Sequence, residues 1–200
     1  SSDWSGIDGV LSVCPYYNKP SQEGLYQHFK CISEASPLPV VLYNVPGRTG
    51  TNMKTSTVLR LAQIPNIRAV KEASGNVTQI IDIRRQAPEG FTVLSGNDDQ
   101  TLPLMASGCD GVISVASNVA PSQMKALADA AASGDMEKAV ALNNELMPLY
   151  HACFVESNPI PVKAALSIMG FCTPEMRLPL TEAVQSTRDL LAGIVRNYSK

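Results

Sequence analysis

Short apolar runs alternate with longer amphipathic stretches along most of the chain, and this pattern predicts alternating strands and helices. Apolar runs predict strands at residues 9–14, 39–44, 67–71, 91–96 and 111–115. Helices are predicted at 21–35, 54–64 and 76–86, then from a cap at Asp98 or Asp99 to Gly108, and at 124–132 behind Pro121. After Gly134 the alternation stops, and residues 136–155, 161–169 and 181–198 are predicted to be helical.

Repeated strand–helix units imply a parallel sheet covered by helices. Two α/β architectures compete. Five strands suffice for an open doubly wound sheet, whereas a (β/α)8 barrel needs eight strands and typically about 250 residues. The strand count alone therefore favours the open sheet. We divide the chain into a β/α part at residues 1–134 and a C-terminal helical segment at 135–200.

Composition narrows the class of protein. The chain is 44% hydrophobic and 17% charged, with a formal net charge of −2, which is typical of a soluble globular protein. This charge gives no reason to expect nucleic acid or an anionic membrane as a partner, and no apolar run is long enough to span a membrane. The first residue is Ser1 rather than Met, so we expect the chain to be part of a longer one.

Cysteine and histidine usage bears on compartment and cofactors. The chain has five cysteines, an odd number, widely spaced and without a C-x-x-C pair, which favours a reducing, cytoplasmic setting over a disulfide framework. His28 and His151 lie far apart and form no metal-binding pattern. We therefore do not expect a zinc site.

Residues that can bind a ligand or take part in a reaction lie at the ends of the predicted strands. Tyr43 ends the second, Lys71 the third and Gly96 the fourth, and the carboxyl ends of parallel strands meet at the rim where ligands bind. A buried amine tends to give up its proton, and a neutral amine can attack a carbonyl to form a Schiff base. The residues alone leave open a lysine that extends into solvent and a tyrosine that only packs.

Two loops at the same rim add candidate residues. Arg48 follows Tyr43 in a Pro-Gly-Arg-Thr-Gly segment, and its planar guanidinium suits a substrate carboxylate. Tyr16 and Tyr17 form the only adjacent aromatic pair, in a loop that can reach a pocket or a neighbouring subunit. The simpler alternatives are a solvated arginine and ordinary loop packing.

Four segments resemble the dihydrodipicolinate synthases, also called 4-hydroxy-tetrahydrodipicolinate synthases. They are PYYNKPSQEG at 15–24, YNVPGRTG at 43–50, IRAVKEASGN at 67–76 and ESNPIPVK at 156–163, in the order that the family has them. The resemblance runs from about Gly6 to the C-terminus. It implies a class I aldolase of the (β/α)8 TIM-barrel family, present here as a part-barrel of about five βα units followed by the helical segment.

The resemblance also implies a reaction and its residues, with no metal or organic cofactor for the chemistry. Lys71 forms a Schiff base with pyruvate, and the resulting enamine attacks L-aspartate 4-semialdehyde on the route to diaminopimelate and lysine. Tyr43 relays protons, and Arg48 holds the semialdehyde carboxylate. Tyr17 is lent across a tight dimer interface, within a tetramer of two such dimers. The backbone at Gly96 and Ile113 lines the pyruvate pocket, and Tyr16 belongs to the lysine-feedback site.

Other functions remain open at this point. Related sugar-acid aldolases, such as N-acetylneuraminate lyase, share the tyrosine and the lysine, although the Gly-Arg-Thr-Gly loop is more like the synthases. The family's Gly-Thr-Thr-Gly-Glu-type motif, which completes the proton relay, is absent from this sequence. The chain alone is then either an enzyme of reduced activity or an inactive fragment that only associates into oligomers. Its first and fifth strands are expected to keep uncovered edges.

Overall fold

Five parallel strands form a single sheet in the order of the sequence. The structure, a computed structural model, describes residues 4–198. The strands, labelled β1 to β5, are Val10–Val13, Val40–Asn44, Ile67–Glu72, Thr92–Ser95 and Gly111–Val112. Each predicted strand is present. The fifth is shorter than expected and ends at Val112, and β3 extends one residue beyond Lys71.

Helices connect the strands, as the alternating pattern predicts. Those of the amino-terminal part, α1 to α5, are Gln22–Ala35, Pro46–Thr49, Thr55–Leu61, Val77–Gln86 and Thr101–Ala106. Two of them correct the sequence prediction. The segment predicted as a loop after β2 contains the one-turn helix α2. Neither Asp98 nor Asp99 caps α5, because both lie inside a 3₁₀ turn, Asp98–Gln100, that precedes it.

Side chains of successive strand residues point to opposite faces of the sheet. Along β2, Val40, Leu42 and Asn44 are buried, whereas Val41 and Tyr43 are only half-buried. The buried side chains of Val40, Leu42 and Asn44 project from the face of the sheet that the helices cover, where the hydrophobic core lies. The core includes Leu25 and Phe29 from α1, and fully burying a side chain of this size contributes about 1.5–3 kcal/mol.

The outer edge of β1 is uncovered. Within the described residues β1 pairs only with β2, in register Leu11 to Val41 and Val13 to Tyr43. Leu11 is 47% exposed and Val13 is 39% exposed, which is high for strand residues of this type. The pairing of β1 with β2 alone gives the expected uncovered edge at the first strand, and the exposed Leu11 and Val13 lie on the face of the sheet that carries Tyr43.

The chain groups into two compact units, one ending at Ile113 and the other beginning at Ser114. The second unit contains a 3₁₀ turn at Ala116–Asn118 and helices α6 to α9, which are Pro121–Ser133, Met136–Ala152, Ile160–Ile168 and Gln185–Val195. Pro121 occupies the first turn of α6, as predicted. Grouping by contact thus places α6 with the later helices, whereas the division at residue 134 sorts the elements by type.

Packing within the second unit is helix on helix. Helix α7 contacts both α6 and α9, and α8 packs against α9. The Tyr198 hydroxyl donates to the Glu145 carbonyl at 3.0 Å and so ties the end of the described chain to α7. In the part of the chain that the structure describes, no helix is both long enough and apolar enough to cross a membrane.

Candidate active site

The strand register brings Lys71 and Tyr43 together. Tyr43 in β2 lies directly opposite Lys71 in β3, so both side chains project from the same face of the sheet. The Lys71 Nζ atom lies 4.3 Å from the centroid of the Tyr43 ring. This confirms the predicted proximity of an amine and a phenol at the carboxyl ends of two neighbouring strands.

The amine of Lys71 is half-buried, and this changes its acidity. Burial lowers the pKa of Lys71 below its ordinary value, while the negative charge of Asp98 opposes the shift. Loss of hydration disfavours the ammonium form, so a larger fraction of this amine is neutral near pH 7 than for a solvated lysine. A neutral amine is the nucleophilic form.

Asp98 is a residue whose influence the sequence interpretation missed. It was predicted only as a helix cap, but its side chain is 2% exposed and its charge acts on Lys71. The available signal was its position three residues after the end of β4, at the rim where the other strand ends meet. Asp98 therefore belongs to the electrostatic environment of the amine.

The phenol of Tyr43 is held in its protonated form. Burial raises the pKa of Tyr43, and the Arg48 guanidinium partly offsets that rise. Arg48 lies on α2, the single turn that follows β2 and that ends at Gly50 with a left-handed φ of 71°. The turn is tight enough to bring the guanidinium of an exposed arginine back to the tyrosine at the strand end.

Gly96 closes the rim beside Lys71 and has to be glycine for a packing reason. Its N–H donates to the Glu72 carbonyl at 2.7 Å. A Cβ atom at this position would lie 2.6 Å from the Ala73 Cβ, closer than real Cβ contacts occur. Ile113 lies next in the same row of strand ends, and its N–H donates to the Ser95 carbonyl at 2.9 Å.

The two loop tyrosines are largely exposed to solvent. The Tyr17 side chain is 89% exposed, and Tyr16 is 71% exposed. Tyr17 also has a φ of 67°, in the left-handed region that bulky residues rarely adopt. The role of Tyr17 in a neighbouring subunit stays a prediction.

The described part of the chain contains no cluster of potential metal ligands. Over residues 4–198, no group of three or more His, Cys, Asp or Glu side chains is arranged to hold a metal ion. His28 lies on α1 and His151 on α7, and both are exposed.

Comparison with known proteins places this site in a family. The sequence matches the dihydrodipicolinate synthetase family over residues 1–198. It is 51% identical to the 4-hydroxy-tetrahydrodipicolinate synthase of Syntrophus aciditrophicus over 97% of this chain and 67% of that protein. It is 52% identical to the Moorella thermoacetica enzyme of the same name, over 96% of this chain and 65% of that protein.

A solved structure gives the same assignment. The dihydrodipicolinate synthase of Thermotoga maritima superimposes with a TM-score of 0.94 at 50% identity, covering 96% of this chain and 67% of that one. The chain thus spans about two thirds of the length of the relatives it matches. A family match along nearly its whole length, with relatives about half identical in sequence, shows that the chain belongs to the dihydrodipicolinate synthetase family.

Proposed function

We propose that the chain carries the Schiff-base centre of a 4-hydroxy-tetrahydrodipicolinate synthase, with Lys71 as the covalent residue. The observation that carries this proposal is the half-buried Lys71 amine, with a lowered pKa, 4.3 Å from the ring centroid of Tyr43. The names of the relatives favour the synthase over a sugar-acid aldolase. The substrates are then pyruvate and L-aspartate 4-semialdehyde.

The proposed reaction balances without a metal or an organic cofactor. The neutral Lys71 amine adds to the ketone carbon of pyruvate, and loss of water gives an imine. Loss of a methyl proton then gives an enamine, whose carbon attacks the aldehyde carbon of the semialdehyde to form the new C–C bond. The amino group of the semialdehyde finally displaces the Lys71 amine, closes the ring and regenerates the enzyme.

Tyr43 and Arg48 are proposed to serve the two substrates. A phenol with a raised pKa remains a proton donor at neutral pH, so Tyr43 is suited to move a proton to and from the oxygen that leaves pyruvate as water. Arg48, an exposed cation whose charge reaches Tyr43, is suited to hold the semialdehyde carboxylate in a bidentate pair. The backbone at Gly96 and Ile113 is proposed to line the pyruvate pocket.

Tyr17 is proposed to act in another subunit. Its solvated ring and left-handed backbone suit a residue that projects outward, and the tight dimer within a homotetramer would give it a neighbouring relay to join. A monomeric dihydrodipicolinate synthase variant is among the structural relatives, at a TM-score of 0.94. We also propose a cytoplasmic location, which is supported by five cysteines that form no disulfide.

Borohydride trapping tests the covalent step. Incubation with pyruvate and borohydride should add one reduced pyruvate to the chain, and peptide mass spectrometry should place it on Lys71. Lys71→Arg should remove the adduct, whereas Lys54→Arg, at an exposed lysine, should not. A folded wild-type chain with no adduct, or with the adduct elsewhere, would refute the assignment. Supplying L-aspartate 4-semialdehyde or N-acetylneuraminate then separates the synthase from the sugar-acid aldolase.

A further inference from the structure

A buried polar cluster lies beneath the strand ends, on the face of the sheet opposite Lys71 and Tyr43. Asn44 follows Tyr43 and Glu72 follows Lys71, so strand alternation turns both side chains towards the helices. Both residues have 0% exposure. Neither residue takes part in the proposed chemistry. Burying a carboxyl group costs folding free energy unless hydrogen-bond partners compensate for the lost hydration.

Asn44 and Glu72 are bonded directly to each other. The Asn44 Nδ2 atom donates to Glu72 at 3.1 Å to Oε1 and 3.0 Å to Oε2. In the β2–β3 register these two residues pair, one step after the pair formed by Tyr43 and Lys71. The side-chain bridge therefore links the two strands at the position next to the amine and the phenol.

Each member of the pair also holds the chain segment that leaves its strand. The Asn44 Oδ1 atom accepts from the Met53 N–H at 2.9 Å, beyond the Arg48 turn. A Glu72 oxygen accepts from the Ser74 N–H at 2.8 Å, and the other accepts from the Gln79 side chain on α4 at 3.1 Å. Two strand ends and the segments that follow them are thus fixed by one connected network.

Burial acts on the carboxyl group itself. It raises the pKa of Glu72, and the hydrogen bonds from Asn44, Ser74 and Gln79 oppose that rise. Burial lowers the pKa of Lys71, and the charge of Asp98 opposes that shift. Glu72 projects from the opposite face of the sheet, so we expect a change at Glu72 to reach Lys71 through the geometry of the two strand ends.

We propose that the Glu72–Asn44 bridge is a positioning pair that holds the Lys71 amine against the Tyr43 ring and keeps it half-buried. Its catalytic relevance rests on the proposed function of Lys71, but its effect on the geometry of the amine does not. Small displacements of reacting groups are expensive, because about 1 Å can cost about 100-fold in rate. The pair is thus expected to matter for chemistry on the opposite face of the sheet.

The test compares three variants of the chain. Glu72→Gln keeps the shape of the side chain but places an amide N–H against donors, and Asn44→Leu with Glu72→Leu removes the bridge. Asn66→Ala is the matched control. Asn66 donates to the carbonyls of Ser33, Ser36 and Leu38, at the start of β3 and away from Lys71. Asn66→Ala therefore removes part-buried hydrogen bonds at the opposite end of the same strands.

Two readouts are measured on each variant. The first is the pH midpoint for acetylation of Lys71 by acetic anhydride, followed by peptide mass spectrometry, which needs no pyruvate. The second is the rate of the pyruvate adduct trapped by borohydride at saturating pyruvate. Both bridge variants should raise the midpoint towards the ordinary lysine value of 10.5 and slow the adduct by about 10- to 100-fold, whereas Asn66→Ala should change neither.

Each result bears on the proposal. An unchanged midpoint in folded Glu72→Gln overturns it, and so does an equal shift in Asn66→Ala, because general loosening would then explain the effect. If the leucine pair fails to fold, Glu72→Gln decides alone. A wild-type chain that forms no pyruvate adduct, with a midpoint that still moves in the bridge variants, refutes the proposed function and supports the positioning pair.

Discussion

Gly96→Ala gives the most specific prediction, because the atoms that a new Cβ would contact are known and cannot move aside. In Gly96→Ala the new Cβ would lie 2.6 Å from the Ala73 Cβ, which is about 0.8 Å short of the 3.4 Å at which ordinary van der Waals contact begins. The Ala73 Cα and the Glu72 carbonyl oxygen would each lie 3.2 Å away. All three neighbours are backbone or attached directly to it, so no flexible side chain can move aside.

The cost follows from that geometry. Overpacking that forces backbone shifts typically costs about 1–3 kcal/mol. For a chain of this length, each kcal/mol lowers Tm by about 2–4 °C. Because the Gly96 N–H bonds to the Glu72 carbonyl, the strain falls on the junction of β3 and β4, next to Lys71. We therefore expect a lower Tm and slower pyruvate adduct formation together.

Circular dichroism melts of three variants and the wild type make the test quantitative. Gly47→Ala is the control, since nothing lies within 4 Å of its Cβ and its φ is not positive, and it should change stability by no more than about 0.5 kcal/mol. Adding Ala73→Gly to Gly96→Ala removes the shortest contact and should restore part of the lost stability. Gly96→Ala with wild-type stability, or a double variant no better than the single one, would refute the reasoning.

Three further predictions concern charge and capping. Asp98→Asn removes the charge that raises the pKa of Lys71, so the acetylation midpoint should fall, opposite to the bridge variants; an unchanged midpoint contradicts this. Burial raises the pKa of Glu72 in the folded state, so its contribution to the free energy of unfolding is fully present below pH 4.5 and is lost as the pH rises through the folded-state pKa. In urea melts, the stability of wild type relative to Glu72→Gln should therefore decrease as the pH rises, and a difference that does not change with pH contradicts this. Ser21→Ala removes the cap that accepts from the Gly24 N–H at 3.1 Å, and should cost about 0.5–2 kcal/mol in the same melts.

Periodicity accounts for most of what the sequence predicted correctly. Apolar runs of strand length and polar caps located all five strands and the main helices, and adjacent parallel strands placed Tyr43 beside Lys71. Strand count alone favoured an open doubly wound sheet, and only the resemblance pointed to the barrel family. The five parallel strands and the TIM-barrel relatives confirm that second expectation.

Tertiary environment accounts for what the sequence missed. The sequence of Asp98 predicts a helix cap, because local propensity cannot reveal that the chain folds its carboxylate towards an amine on another strand. Glu72 and Asn44 were passed over because a polar residue at a strand end is ordinarily solvated, whereas here helices cover both. The catalytic roles of Lys71 and Tyr43 stay predictions, and so do those of Tyr17, Arg48, Gly96 and Ile113, since each depends on a bound substrate or a second subunit.

The strict alternation of side chains along β2 and β3 separates two kinds of genetic change. If the proposed function holds, substitutions at positions 43 and 71 change the groups that react, while those at 44 and 72 change the hydrogen bonds on the opposite face of the same strands. To engineer new carbonyl chemistry on this scaffold, positions 43 and 71 can therefore be varied while positions 44 and 72 are kept unchanged. Random libraries that mutate neighbouring positions together would confound the two effects.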